Sequence, residues 1–240
     1  MNNIRNRSRL KKLRKILHKV NSYAGSMKEM EDSVLQAKTA EFRERLRQGE
    51  TLDQLLPEAY AVVREASGRV LGMYPYDTQV LGGITLHQGR IAEMKTGEGK
   101  TLVASMPLYL NALTGKGCIL VTTNSYLAVR DGTQLGALFH FLDIKLEIGV
   151  SDDPDRRLTA KDKKRIYSAD IVYTTNAALG FDYLLENLAI SSEEQYLRDF
   201  YYVIIDEADE VLLDSAQTPL VVSGAPRVQS NLYETADYFV

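Results

Sequence analysis

The spacing of apolar positions changes character once along this chain. In the first 70 residues apolar side chains recur every three or four positions, the period of an amphipathic helix. Leu10, Leu13, Leu17 and Val20 form such a stripe. Residues 27–48 read as one charged helix with an apolar face, stopped by Gly49, and residues 51–71 as a second helical region with Pro57 near its start. From about residue 89 short β-branched runs alternate with helix-like stretches. The predicted strands are 90–94, 118–123, 145–150, 170–174, 201–206 and 219–223, with helices over 100–113, 125–142, about 160–167 and 176–189. Alternating strands and helices imply a parallel sheet covered by helices on both faces, and near-continuous apolar runs such as CILV and YVII fit strands buried on both sides. In such α/β folds ligands sit at the carboxyl ends of the strands.

Composition adds a charge asymmetry. Of 240 residues, 45% are hydrophobic and 25% charged, an ordinary globular balance. Arg5, Arg7, Arg9, Lys11, Lys12, Arg14, Lys15 and Lys19 fall within residues 1–20 without an acid, so against a net charge of −3 the remainder carries −11. A basic amphipathic helix on an acidic body is a docking device for an anionic phospholipid surface or a partner's groove. The alternative is a solvated helix whose stripe packs on its own domain. No aromatic side chain interleaves these cations for base stacking. No apolar segment follows them as in a secretory signal, and no run approaches a membrane span, so a cytoplasmic protein with peripheral membrane contact is expected. The single cysteine, Cys118, forbids an internal disulfide and reads as a small buried hydrophobe.

Chemistry concentrates at two predicted strand ends. The first is AEMKTGEGKT, residues 92–101, followed by the apolar stretch LVASMPLYLNAL. A strand, a glycine loop and a helix in succession make a phosphate cradle. Gly97 and Gly99 let backbone N–H groups approach a phosphate, Glu98 lies between them, Lys100 reaches the β- and γ-phosphates, and the Thr101 hydroxyl holds Mg²⁺. Met94 occupies the first glycine position of the strict G-x-x-x-x-G-K-[ST] pattern, so the match is incomplete. The second is YYVIIDEAD, where Asp206 would hold Mg²⁺ and Glu207 would orient and polarise a water. Separately, each has a plain reading, as a glycine turn with a surface lysine or an ordinary strand terminus. Together, about 105 residues apart, they are two parts of one ATP site. Upstream, Gln79 has an amide suited to read adenine, with Met73, Tyr74 and Tyr76 to pack the ring. His18, His87 and His140 have no second ligand at metal spacing.

Together YDTQ, LGGITLHQGRIAEMKTGEGKTLVA, LYLNALTGKG, TTNSYLAVRD, YTTNAALGFDYLLENLA and VIIDEADEVLLDSAQTPLVVSG resemble the SecA family, the ATPase motors of bacterial Sec protein export, from about residue 10 onward. The RNA-contact motifs of DEAD-type helicases, which share the phosphate loop and acidic strand end, are replaced by SYLAVRD and TTNAALGFDYL. The resemblance implies that Gln79 reads adenine, Gly97 to Thr101 form the phosphate loop, Asp206 and Glu207 are metal acid and base, and Arg130 and Asp131 couple nucleotide state to shape. It implies a basic first helix that docks to membrane and channel, with preprotein cargo and a Sec-type channel as partners, no specific nucleic acid, and a homodimer left open. Expected divisions are a helical region over 1–70, a first nucleotide-binding domain over 71–224 and the start of a preprotein-binding domain over 225–240. Where the family has NDYLARRD and DEARTPL, this chain has NSYLAVRD and DSAQTPL, with Ser215 and Gln217 in place of an acid and an arginine. Those departures resemble the accessory SecA branch of Gram-positive bacteria, which exports a few cargoes such as surface adhesins. Family members continue into a second ATPase domain bearing an arginine finger. Residues 1–240 alone are therefore expected to bind Mg·ATP weakly and to be nearly inactive. The readings set against an export motor are an RNA helicase and a non-hydrolysing nucleotide-gated docking module.

Overall fold

A computed structural model describes residues 2–151, 158–191 and 194–222, with side chains from residue 7 onward. Five helices come first: α1 (Asn2–Ser22), α2 (Ala24–Glu29), α3 (Asp32–Arg47), α4 (Leu52–Leu71) and α5 (Asp77–His87). They are followed by α6 (Lys100–Ala112), β1 (Cys118–Thr122), α7 (Ser125–Phe141), β2 (Leu146–Ile148), α8 (Ala160–Tyr167), β3 (Ile171–Thr175), α9 (Asn176–Asn187) and β4 (Tyr202–Ile205). The chain ends of these helices are set locally. Thr51 caps α4 through a reciprocal pair with Gln54, and Gly72, at φ 67°, closes it in the left-handed region.

The four strands form one parallel sheet in the order β2-β3-β1-β4. Strand alternation divides its two faces. Cys118 and Leu120, Ile171 and Tyr173, and Ile204 point into the main core, shared with α4, α5, α6 and α7. Val172, of opposite parity, joins Ile166, Tyr167 and Ala169 in a second cluster with Leu179, Tyr196 and Leu197. Helices therefore cover both faces, as the alternation of runs predicts. The centre of the main core is α6, buried at every position from Leu102 to Ala112. Cys118 is buried, and desolvation pushes its thiol up to about 12, which keeps it protonated and inert.

Four sequence expectations are corrected. Residues 90–94 are not a strand: they follow a turn at Gly89 (φ 65°), no described strand lies beside them, and Ile91 is 88% exposed. Pro219–Val222 also form no strand, and their apolar side chains are exposed. Residues 27–48 are two helices, because Met30 is extended at ψ 139°. The Arg69 guanidinium caps that break, donating to the carbonyls of Met27 (3.0 Å) and Lys28 (3.2 Å) and to Asp32 (2.8 Å). Finally, the α1 stripe faces inward except at Leu10, which is exposed: Leu17 and Val20 are buried, and Leu13 and Ile16 pack against the main core. The second of the two readings for this helix is the one realised for its apolar side. Residues 223–240, including the expected start of a further domain, and the Arg5 side chain lie outside the described residues.

Candidate nucleotide-binding site

The site forms where β1 and β4 end against the amino terminus of α6. These strands are neighbours, and the Asp206 N–H donates to the Val121 carbonyl (2.8 Å), extending their ladder by one residue. The two acids therefore leave the sheet at its carboxyl edge. Glu207 turns at φ 52°, a left-handed conformation costly for a residue with a Cβ, on the order of 1–2 kcal/mol. That turn lets its carboxylate accept from the Thr123 hydroxyl (3.3 Å), beyond the end of β1. Thr123 escaped the sequence reading, although its place at the end of the CILVTT run was a signal for it.

The loop before α6 turns on two glycines, Gly97 (φ 86°) and Gly99 (φ 77°), both in the region open to glycine. Glu98 is occupied structurally: its carboxylate accepts the Lys95 N–H (2.9 Å), bracing the loop. At the head of α6 the Lys100 ammonium stands 3.9 Å from the Asp206 carboxylate. The Thr101 hydroxyl donates to Asp131 (3.1 Å), and the Arg130 Nε donates to the other Asp131 oxygen (2.6 Å). Arg130 also lies 6.0 Å over the Tyr126 ring. The pair placed by sequence in a separate coupling motif is thus wired to the hydroxyl of the phosphate loop.

Gln79 is buried at the start of α5 and reaches the same loop. Its Oε1 accepts the Tyr76 N–H (2.8 Å), and its Nε2 donates to the Glu98 carbonyl (2.9 Å). Tyr76 is 75% exposed, free to flank a planar ligand. Met73 lies close by, with its sulfur 4.0 Å from the Gln134 amide. The glycine loop, Gln79 and the acidic pair converge although no strand precedes the loop. The basic residues of α1 do not join them: Arg7, Arg9, Lys11, Lys12, Arg14, Lys15 and Lys19 are exposed on the helix.

Charge at the site favours a cation. Burial raises the Asp206 pKa, against the opposing pull of Lys100 and the Glu207 N–H, and the carboxylates of Glu207 and Asp131 push it further in the same direction. Burial raises the pKa of the Tyr173 hydroxyl, which has no partner among the described residues, and the charges of Asp131 and Asp206 push it further in the same direction. Among the described residues no three His, Cys, Asp or Glu side chains gather into a metal cage. The donor set of hydroxyl and carboxylate oxygens fits Mg²⁺, which takes one or two protein ligands and completes its shell with water and phosphate.

Fold and site together define a helicase-type, RecA-like α/β nucleotide-binding domain with a helical amino-terminal region. The SecA DEAD-like domain matches residues 1–240, and the chain belongs to that family. It is 61% identical over 237 residues to the protein translocase subunit SecA 2 of Streptococcus sanguinis, covering 99% of this chain and 30% of that one. The corresponding subunit of Streptococcus gordonii is 59% identical over the same length, and that of Staphylococcus aureus strain MRSA252 is 55% identical over 236 residues. All three relatives bear the name SecA 2. The chain spans about 30% of each of them.

Proposed function

We propose that residues 1–240 are the ATP-binding amino-terminal part of a protein-translocase motor of the accessory SecA type. In this reading residues 71–224 hold the nucleotide, and the exposed cationic side of α1 in the helical region 1–70 meets the membrane or its channel. Residues 225–240 would open the preprotein-binding part. The observation that carries it is the Lys100 ammonium, next to Thr101 at the head of α6, standing 3.9 Å from the carboxylate of Asp206, next to Glu207 at the end of β4.

The chain's residues have separable tasks. Backbone N–H groups of residues 97–101 and the Lys100 ammonium hold the phosphates, using the positive end of α6. Gln79 turns its amide to the adenine edge. Thr101 and Asp206 would hold Mg²⁺, which would supply neutralisation of charge on the transferred phosphoryl group. The Thr101 hydroxyl donates to Asp131, which Arg130 also grips, so the Arg130–Asp131 pair is placed to sense what that hydroxyl binds. Glu207, held by Thr123, orients the attacking water and accepts its proton. Hydrolysis would drive passage of preprotein cargo through a Sec-type membrane channel.

The intact translocase separates this from a helicase. Its ATPase rate is expected to rise with unfolded preprotein plus channel and to ignore RNA; stimulation by RNA alone overturns the proposal. Glu207→Gln is expected to lower hydrolysis by about 10²-fold or more while ATP binding persists, a loss in the range for removal of a general base. Export that survived Glu207→Gln but not Lys100→Ala would instead favour a nucleotide-gated module.

A further inference from the structure

We propose that Arg64 is a positioning residue for adenine recognition, and that through it and Asn21 the seat of α1 is coupled to nucleotide binding. The proposal rests on the nucleotide reading above and adds residues that reading does not use.

Arg64 lies in the middle of α4, on a helix whose neighbouring positions Tyr60, Ala61, Val62, Val63, Ala66 and Ser67 are buried. It is itself 6% exposed. A buried guanidinium is costly unless its donors are satisfied. Arg64 meets that need without a buried carboxylate. Its Nε and Nη2 donate to the Pro75 carbonyl (3.0 and 2.8 Å), and Nη2 also reaches Asp77 Oδ1 (3.3 Å). Its Nη1 donates to Asn21 Oδ1 (2.6 Å), and its guanidinium lies 4.7 Å over the Tyr74 ring. Apart from Asn21, every one of these partners belongs to residues 74–77, the turn that launches α5.

Asn21 closes the figure. It stands in the last turn of α1, and its Nδ2 donates to both Asp77 carboxylate oxygens (3.2 and 3.3 Å). The end of α1 is thus tied to the turn twice, directly through Asp77 and by way of Arg64. The turn in turn fixes Gln79, because the Tyr76 N–H holds the Gln79 carbonyl and leaves its NH₂ toward the phosphate loop. A continuous path of hydrogen bonds and three backbone residues therefore runs from α1 to Glu98. The same turn walls an open depression of about 690 Å³ lined by Arg64, Tyr74, Pro75, Tyr76, Asp77 and Thr78. The Gln79 amide keeps a second N–H and a second oxygen lone pair to offer adenine, and it can aim them only while its backbone stays in place, which is what Arg64 and Asn21 hold. By linkage, anything that lifts the end of α1 weakens adenine binding, and bound ATP seats α1 more firmly.

The test compares ATP, GTP and inorganic triphosphate as competitors of a fluorescent ATP analogue on the full chain. Asn21→Ala, at a half-buried position, leaves the fold in place and is the primary variant; Arg64→Lys keeps the charge but loses the fork that grips Pro75 and Asp77. A purely structural arginine would lower the melting temperature and move all three ligands together. Both variants are expected to weaken ATP about tenfold, the worth of one well-placed hydrogen bond, and leave triphosphate unchanged, so that the preference for ATP over GTP shrinks. Unchanged ATP affinity in both variants, or an equal loss for ATP and triphosphate, overturns the proposal while the nucleotide reading stands. Wild-type chain that binds neither ATP nor triphosphate overturns both.

Discussion

His87 shows how far single residues of this chain are committed by their surroundings. The Asn111 NH₂ can only donate, and it faces His87 Nδ1 at 3.0 Å, so the ring proton sits on Nε2, turned toward Asp53 at 3.4 Å. Burial lowers the His87 pKa, and the exposed Asp53 only partly offsets it. A folded-state pKa below the unfolded value of 6.5 means that the unfolded chain takes up the proton first. Stability is therefore whole above pH 6.5 and is lost as pH falls through the folded value. Thermal melts from pH 7.5 to 5 should show this decline, and His87→Gln should flatten it. Gly99 is committed by geometry: at φ 77° a side chain is strained, and an added Cβ would press into the Gln79 amide. Gly99→Ala should keep the fold, read by circular dichroism, and weaken ATP at least tenfold in the competition assay, a loss of about 1.4 kcal/mol or more. Asp206 has the opposite balance. Its charge is unfavourable where it stands, so Asp206→Asn should raise the melting temperature of the nucleotide-free chain at pH 7 by a few degrees, about 1 kcal/mol in a domain of this size, and remove the Mg²⁺ dependence of ATP binding. Residues of this kind were legible in the sequence when a short motif contained them, as with Gln79, Lys100, Thr101, Asp206 and Glu207. Thr123, Arg64 and Asn21 were not, because each hydrogen-bonds partners 11 to 84 positions away, which no local spacing records.

Elements were legible where one rule sufficed. The runs that became β1 and β3 announce themselves because both faces are covered, so burial alone determines their composition. RIAEM carries Arg90 and Glu93 among its apolar residues, and a strand requires a hydrogen-bonded neighbour, yet among the described strands none lies beside it. Residues 77–87 carry the reverse lesson. No helical period marks them, since α5 packs on several sides and uses Gly83 to approach Tyr60, Met106 and Pro107, where an added Cβ would sit 3.3–3.4 Å from their atoms. α1 divides its labour by face. Its buried residues hold it to the core, so Val20→Ala should cost about 1–3 kcal/mol in chemical denaturation, in proportion to the methyl groups removed. Its exposed cations contribute nothing to that packing. Lys11→Glu with Lys15→Glu should leave the denaturation midpoint unchanged and reduce co-sedimentation with vesicles of anionic phospholipid, most clearly at low salt.

At the scale of the molecule, one core joins the helical region to the sheet, from Leu17 and Val20 through α4 and α6 to Ile204. The first helix is therefore not an appendage: its position and that of the nucleotide site are parts of one packed body. Fold class and family were legible because the glycine loop and the acidic strand end fall where a parallel sheet brings them together. The seat of α1 was not, because an amphipathic stripe serves a membrane, a partner or its own core equally well. In the proposed motor the head of α6 and the end of β4 make one Mg·ATP site. Calorimetric titration of ATP into residues 1–240, with and without Mg²⁺, tests it most directly. One saturable site is predicted, weak but strengthened by Mg²⁺, lost in Lys100→Ala and kept in Glu207→Gln. No binding at millimolar ATP, or binding that survives Lys100→Ala unchanged, would contradict it.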